Sequence, residues 1–142
     1  MPSFETSVAS LIASGPILQV FVGPSREIIA ALGASAVSAA IQVSALIDTG
    51  AQSTVINSAV AQQLNLRAVG STAIHTATTT KPVRCREVHV NIYLWHEFTI
   101  ENLIAIEAPM SGHPFQCVIG RDILSRGTLV YAGRENRFTL TF

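Results

Sequence analysis

ALIDTGAQSTVI, residues 45–56, drives an apolar run straight into an acid, a hydroxyl and a glycine, and then returns to apolar residues. Burying a lone carboxylate raises its pKa and costs on the order of several kcal/mol unless the acid is paired or hydrogen-bonded. Asp48 is therefore either a strand-to-turn corner, accepting backbone N–H bonds while Gly50 supplies backbone freedom, or part of a chemical device. Asp-Thr-Gly alone arises by chance in about one chain in thirty of this length. Its weight comes from its setting: the apolar approach Ala45–Ile47, the small Ala51 and the prompt return to Thr54–Ile56.

The rest of the chain supplies the context. IQVSALI, residues 41–47, alternates Ile41, Val43 and Ala45 with Gln42 and Ser44, then turns wholly apolar, which predicts a strand whose end is buried. Downstream, Asn57 is a candidate N-cap for a short helix in SAVAQQLNL, with Val60, Ala61 and Leu64 on one face. PILQVFVG reads as a strand between Pro16 and Gly23, whereas residues 26–40, REIIAALGASAVSAA, suit either a helix or a turn between short strands. Residues 71–85 and 86–95 predict a hairpin-rich sheet in which Val88, Val90, Ile92 and Leu94 face one way and His89, Asn91 and Tyr93 the other. FTIENLIAI continues the sheet, FQCVIG is a further buried strand, RDILSR suits one or two helical turns, and TLVYA-GREN-RFTLTF reads as a closing hairpin. The expected organisation is a flexible lead-in over residues 1–15, rich in Ser and Ala, followed by one mainly β domain over 16–142.

Composition excludes several functions. With 13% charged residues and zero formal net charge, the 142-residue chain lacks the basic footprint of a nucleic-acid binder, and so sparse a charge leaves surface for a protein partner to cover. No apolar run approaches the length of about 20 residues that spans a bilayer, and the N-terminal stretch lacks a basic region. No membrane partner is expected, and a cytoplasmic location is. Cys85 and Cys117 stand far apart, outside any CxxC pair, and read as reduced, packed thiols. His75, His89, His96 and His113 are scattered, HEFTI lacks the second histidine of a zinc helix, and GASAV around Ser35 fails as a nucleophile elbow. Neither a metal nor a cofactor is expected.

The motif set resembles the retropepsin-type aspartic proteases, the single-lobed family that includes the retroviral proteases. Leu46–Ala51 followed by Val55 and Ile56 is one match; VIGRDIL, about seventy residues on, is a second; the terminal FTLTF is a third. The resemblance implies a closed, barrel-like β lobe with one or two short helices. It also implies a homodimer, because two carboxylates about 3 Å apart must share a proton. Asp122 is the only other aspartate and has no Ser/Thr-Gly after it, so the partner's Asp48 has to complete the dyad.

Carried over residue by residue, the resemblance makes Asp48 catalytic in polypeptide hydrolysis. Thr49, Gly50 and Ala51 become loop support at the substrate, Gly120 and Arg121 structural support, and Thr78, Thr79 and Thr80 the tip of a covering flap. The sequence departs from the retroviral pattern at that flap, where threonines, Lys81 and Pro82 replace glycines, and at Gln52, which stands where the arginine's acidic partner is found. The extra TLVYAGREN segment is similar to the C-terminal hairpin of ubiquitin-shuttle retropepsin-like proteins and is expected at the dimer interface. The alternative function on the same fold is a catalytically silent dimerisation or peptide-binding module.

Overall fold

The computed structural model describes residues 2–25, 40–75, 80–94 and 98–142. Among these residues ten strands follow in chain order: β1 Ser3–Ser7, β2 Ile17–Gly23, β3 Ile41–Ile47, β4 Val55–Asn57, β5 Ala68–Ile74, β6 Val83–Leu94, β7 Phe98–Ala108, β8 Cys117–Ile119, β9 Thr128–Ala132 and β10 Arg137–Thr141. Among the described residues three short α-helices accompany them: α1 Leu11–Ser14, α2 Ser58–Gln63 and α3 Arg121–Leu124.

Six strands close on themselves in the order β2-β3-β8-β4-β7-β6, the ring being completed where Phe21–Gly23 of β2 pair with Asn91–Tyr93 of β6. The expected mainly β, barrel-like lobe is thus the fold observed. Closure hides the edges that an open sheet would expose. β5 continues the sheet as a seventh strand on β6. Val20, Val22, Val43, Ile47, Ile56, Val88, Val90, Ile92, Ala105 and Ile119 fill the core, each of the larger ones contributing about 1.5–3 kcal/mol by leaving water.

The helix expected after Asn57 forms, with the Asn57 side chain accepting the Ala59 N–H (3.2 Å) and Val60 and Ala61 turned inward. RDILSR supplies the one turn of α3. In β6 the alternation holds for Val88, Val90, Ile92 and Leu94, but Asn91 is buried instead of facing out. The β6–β7 register slips between Val90 and Ile92, and Asn91 Oδ1 accepts the N–H of Asn102, whose φ is 54°. A bulge of this kind re-aims one side chain, which strict period-two reading cannot register. The undecided segment 26–40 lies, except for Ala40, outside the described residues, as do Trp95 and His96.

The largest departure concerns the segment read as a flexible lead-in. Ser3–Ser7 pairs along its length with β10, which pairs in turn with β9, making a three-stranded sheet. Phe4 is buried near Phe98 and Phe142, whose rings stack at 4.4 Å, and Leu11 is buried with its N–H donated to Asn136 Oδ1. SFETS carries a single large apolar residue and is too short for its alternation to stand out. Its strand state is decided by β10, the partner 130 residues on in sequence.

Both cysteines are buried free thiols. Burial, assisted by the Asp122 carboxylate, pushes Cys117 up to about 12. The unfolded thiol ionises near its ordinary value of 9.0, so the unfolded chain binds fewer protons above that pH. The associated stability is intact below about pH 9 and is lost as pH rises towards 12. Treatment with a maleimide near neutrality should leave Cys117 unmodified in the folded protein and modify it after denaturation, as read by mass spectrometry.

Candidate active site

β3 and β8 run in parallel, paired through Ile47 and Ile119, while β4 lies antiparallel on the other side of β8. The chain leaving β3 must cross the C-terminal end of β8 to re-enter as β4. That crossing is the loop Asp48–Thr54. It passes so close to Gly120 that a Cβ there would lie 2.6 Å from the Ser53 carbonyl carbon, so only glycine fits without moving backbone.

Asp48 is half-buried and begins the loop. Its N–H donates to Ile119 O (3.0 Å), and its Oδ1 accepts the Gly50 N–H (2.8 Å), the side chain's only hydrogen bond among the described residues. Thr49 and Gly50 are exposed and Ala51 is half-buried. The segment after β8 clamps the loop from beneath. Arg121 N–H donates to Ala51 O (2.8 Å), Asp122 N–H to Gln52 O (3.2 Å), and Arg121 Nη1 to Thr49 O (2.8 Å). The guanidinium thus finds a backbone carbonyl one turn of loop away from Gln52.

Asp122 is committed elsewhere. Its Oδ2 accepts the Thr54 N–H (2.9 Å), and its Oδ1 accepts both Thr54 Oγ1 (2.7 Å) and its neighbour's Ile123 N–H (2.9 Å). Thr54 Oγ1 accepts in turn from Gly120 N–H (3.2 Å), and Thr54 is wholly buried. Sequence reading weighed Asp122 only as a second catalyst and did not single out Thr54. The one available signal was an acid in the first turn of a helix directly after the VIG strand.

Above the loop lies a cleft of about 810 Å³. Asp48, Gly50, Ala51 and Arg121 line its floor, and Val55, Ile106 and Val118 add an apolar surface beside them. Thr72, Ala73, Ile74 and His75 bring the end of β5 to the same cleft. The covering hairpin was placed at Thr78, Thr79 and Thr80; Thr78 and Thr79 lie outside the described residues, and Thr80 is exposed before β6. Sequence reading set residues 71–85 in this hairpin sheet but did not single out Thr72 and Ala73 as lining the cleft.

The protein family described as "gag-polyprotein putative aspartyl protease" matches residues 36–126, which include the whole Asp48 loop, β8 and α3. The chain belongs to this family. No curated protein matches it. Among solved structures, the EIAV protease in complex with the inhibitor HBY-793 shares 20% identity at a TM-score of 0.54, over 78% of this chain and 86% of that one. A retropepsin-like aspartic protease from Rickettsia conorii shares 13% identity at 0.57, over 98% and 91%. These likenesses give the aspartyl protease family member a retropepsin-like fold. Within that fold the chain has one aspartate at the cleft, Asp48, and one spent on holding the loop, Asp122.

Proposed function

We propose that the protein is an aspartic endopeptidase working as a homodimer, in which Asp48 of each chain meets its symmetry mate and the pair hydrolyses extended polypeptides. The observation that carries this reading is the lone Asp48 at the cleft floor, held by a loop whose backbone is tied down on both sides of the acid. One carboxylate takes a proton from a water that attacks the scissile carbonyl. The protonated partner donates to the carbonyl oxygen as charge develops there. Rigid donors and acceptors spend no reorganisation energy at that moment, and the hydrogen-bonded loop is suited to this. Thr49 supports the opposite loop, and Gly50 and Ala51 leave room for substrate backbone. The substrate lies as an added strand with its side chains alternating into the apolar parts of the cleft.

For the partner copy, the small sheet offers at β9 an edge that no strand among the described residues pairs, where Val130 and Tyr131 are both more than half exposed. A chain with one aspartate at its cleft cuts peptides only as a dimer, while peptide binding needs no dyad. That gives the silent binding module a definite place as the competing reading. Cleavage of an unfolded protein between about pH 4 and 7, blocked by a statine-type transition-state analogue, tests the proposal. Specific activity should fall on dilution in step with a dimer-to-monomer change in sizing experiments. Absence of cleavage at any concentration, with peptide still bound, leaves the binding module.

A further inference from the structure

Glu87 stands on the wall of the cleft, not on its floor. It lies on β6 between Gly70 of β5 and Ile106 of β7, its cross-strand neighbours. A Cβ at Gly70 would lie 3.0 Å from Glu87 Oε1, so the carboxylate rests over the bare backbone of β5 in space that any other residue at 70 would contest. On the other side Ile104 and Ile106 line the cleft. The residue is half-buried, and among the described residues no hydrogen bond or ion pair reaches its carboxylate.

The nearby cations are engaged or turned elsewhere. Arg86, one position back on β6 and so on the opposite face, pairs with Glu107 (Nε to Oε2, 3.0 Å). Arg121, on the cleft floor, donates to Thr49 O. His75 lines the far end of β5, and Asp48 adds a further negative group. The half-buried carboxylate, cross-strand from Ile106 and without a partner among the described residues, is complemented by a cation entering the cleft. An extended peptide presents every second side chain to such a wall, and a guanidinium or ammonium group is the complement that a peptide carries.

We infer that Glu87 is a specificity-determining residue that makes the cleft select extended peptides bearing arginine or lysine at the fixed positions that face the two copies of Glu87. The inference rests on reading the cleft as the peptide site. Gly70 belongs to the same device, because its missing side chain leaves the carboxylate open to the substrate. Arginine is favoured over lysine, since its planar fork meets both carboxylate oxygens.

Binding separates this inference from the endopeptidase reading. Immobilised Asp48→Asn protein is exposed to randomised decapeptides at low salt, and the retained peptides are sequenced. Arginine and lysine should be enriched about tenfold at fixed spacing, facing one or both copies of Glu87, with the enrichment reduced by high salt and abolished in Asp48→Asn/Glu87→Gln. Glu87→Lys in the same background should turn the preference acidic. No basic enrichment at any position, or an enrichment that survives Glu87→Gln, overturns the inference. Cleavage by the natural chain is scored in parallel: failure to cut beside a preference that follows residue 87 removes the endopeptidase and keeps the specificity.

Discussion

Substituting Asp48 by Asn is expected to lower peptide cleavage at least about 10³-fold while leaving folding and dimerisation nearly unchanged. Asparagine is close to isosteric, and its Oδ1 still accepts the Gly50 N–H that anchors the turn. What it removes is the proton exchange that lets one group act as base and its mate as acid. Because the proposed dyad is split between chains, the variant should also inhibit the natural protein. With subunits exchanging freely, an equal amount of Asp48→Asn leaves about half of the natural chains in fully natural dimers, and a threefold excess leaves about a quarter. Cleavage at a fixed concentration of natural chain should fall in those proportions, measured after an incubation long enough for exchange. Undiminished cleavage in the mixture, with exchange verified by a tagged subunit, would show that each chain carries a complete catalytic set and end the shared dyad.

What the sequence disclosed follows from the range of the forces involved. The strand leading to Asp48, the cap at Asn57 and the turn after β8 are local: each is set by periodicity or by a side chain reaching its own backbone a few residues on. The barrel itself was implied by the family resemblance that Leu46–Ala51, VIGRDIL and FTLTF carry. Features set by distant partners were not legible. β1 is a strand because β10 offers it a ladder, and Phe4 is core because Phe98 and Phe142 stand there. Asn91 is buried by a slip of register against β7 that its own neighbours do not announce. The cleft wall at Thr72–His75 and Glu87 depends on how β5 leans on β6, with a register shift between Ala68 and Gly70. At the site itself the cleft-lining Asp48 was legible from its odd placement, but the residues that hold its loop were not. Thr54 and Asp122 are 68 positions apart and meet only because β4 and β8 are neighbours.

That meeting yields the largest stability effect expected outside the apolar core. Asp122→Ala removes the acceptor for the Thr54 N–H, the Thr54 hydroxyl and the Ile123 N–H together. Leaving such donors part-buried and unmet costs about 1–3 kcal/mol each, less what water recovers, so a net loss of about 3 kcal/mol is expected in denaturant unfolding. Asp122→Asn should restore little, because its amide group opposes one of the donors that the second oxygen received. Thr54→Val keeps the shape yet deprives Gly120 N–H of its acceptor and Asp122 of one donor, at about 2 kcal/mol. If the two residues act as one clamp, the double variant should fall short of the sum by at least about 1 kcal/mol, whereas additive losses would separate them. Activity provides the second reading. The clamp fixes the Thr54 end of the loop bearing Asp48, so variants that remain folded should lose turnover more than their stability deficit explains, with substrate affinity far less affected. A loss confined to stability, with normal turnover by the folded fraction, would make the clamp a packing feature with no part in aiming the acid.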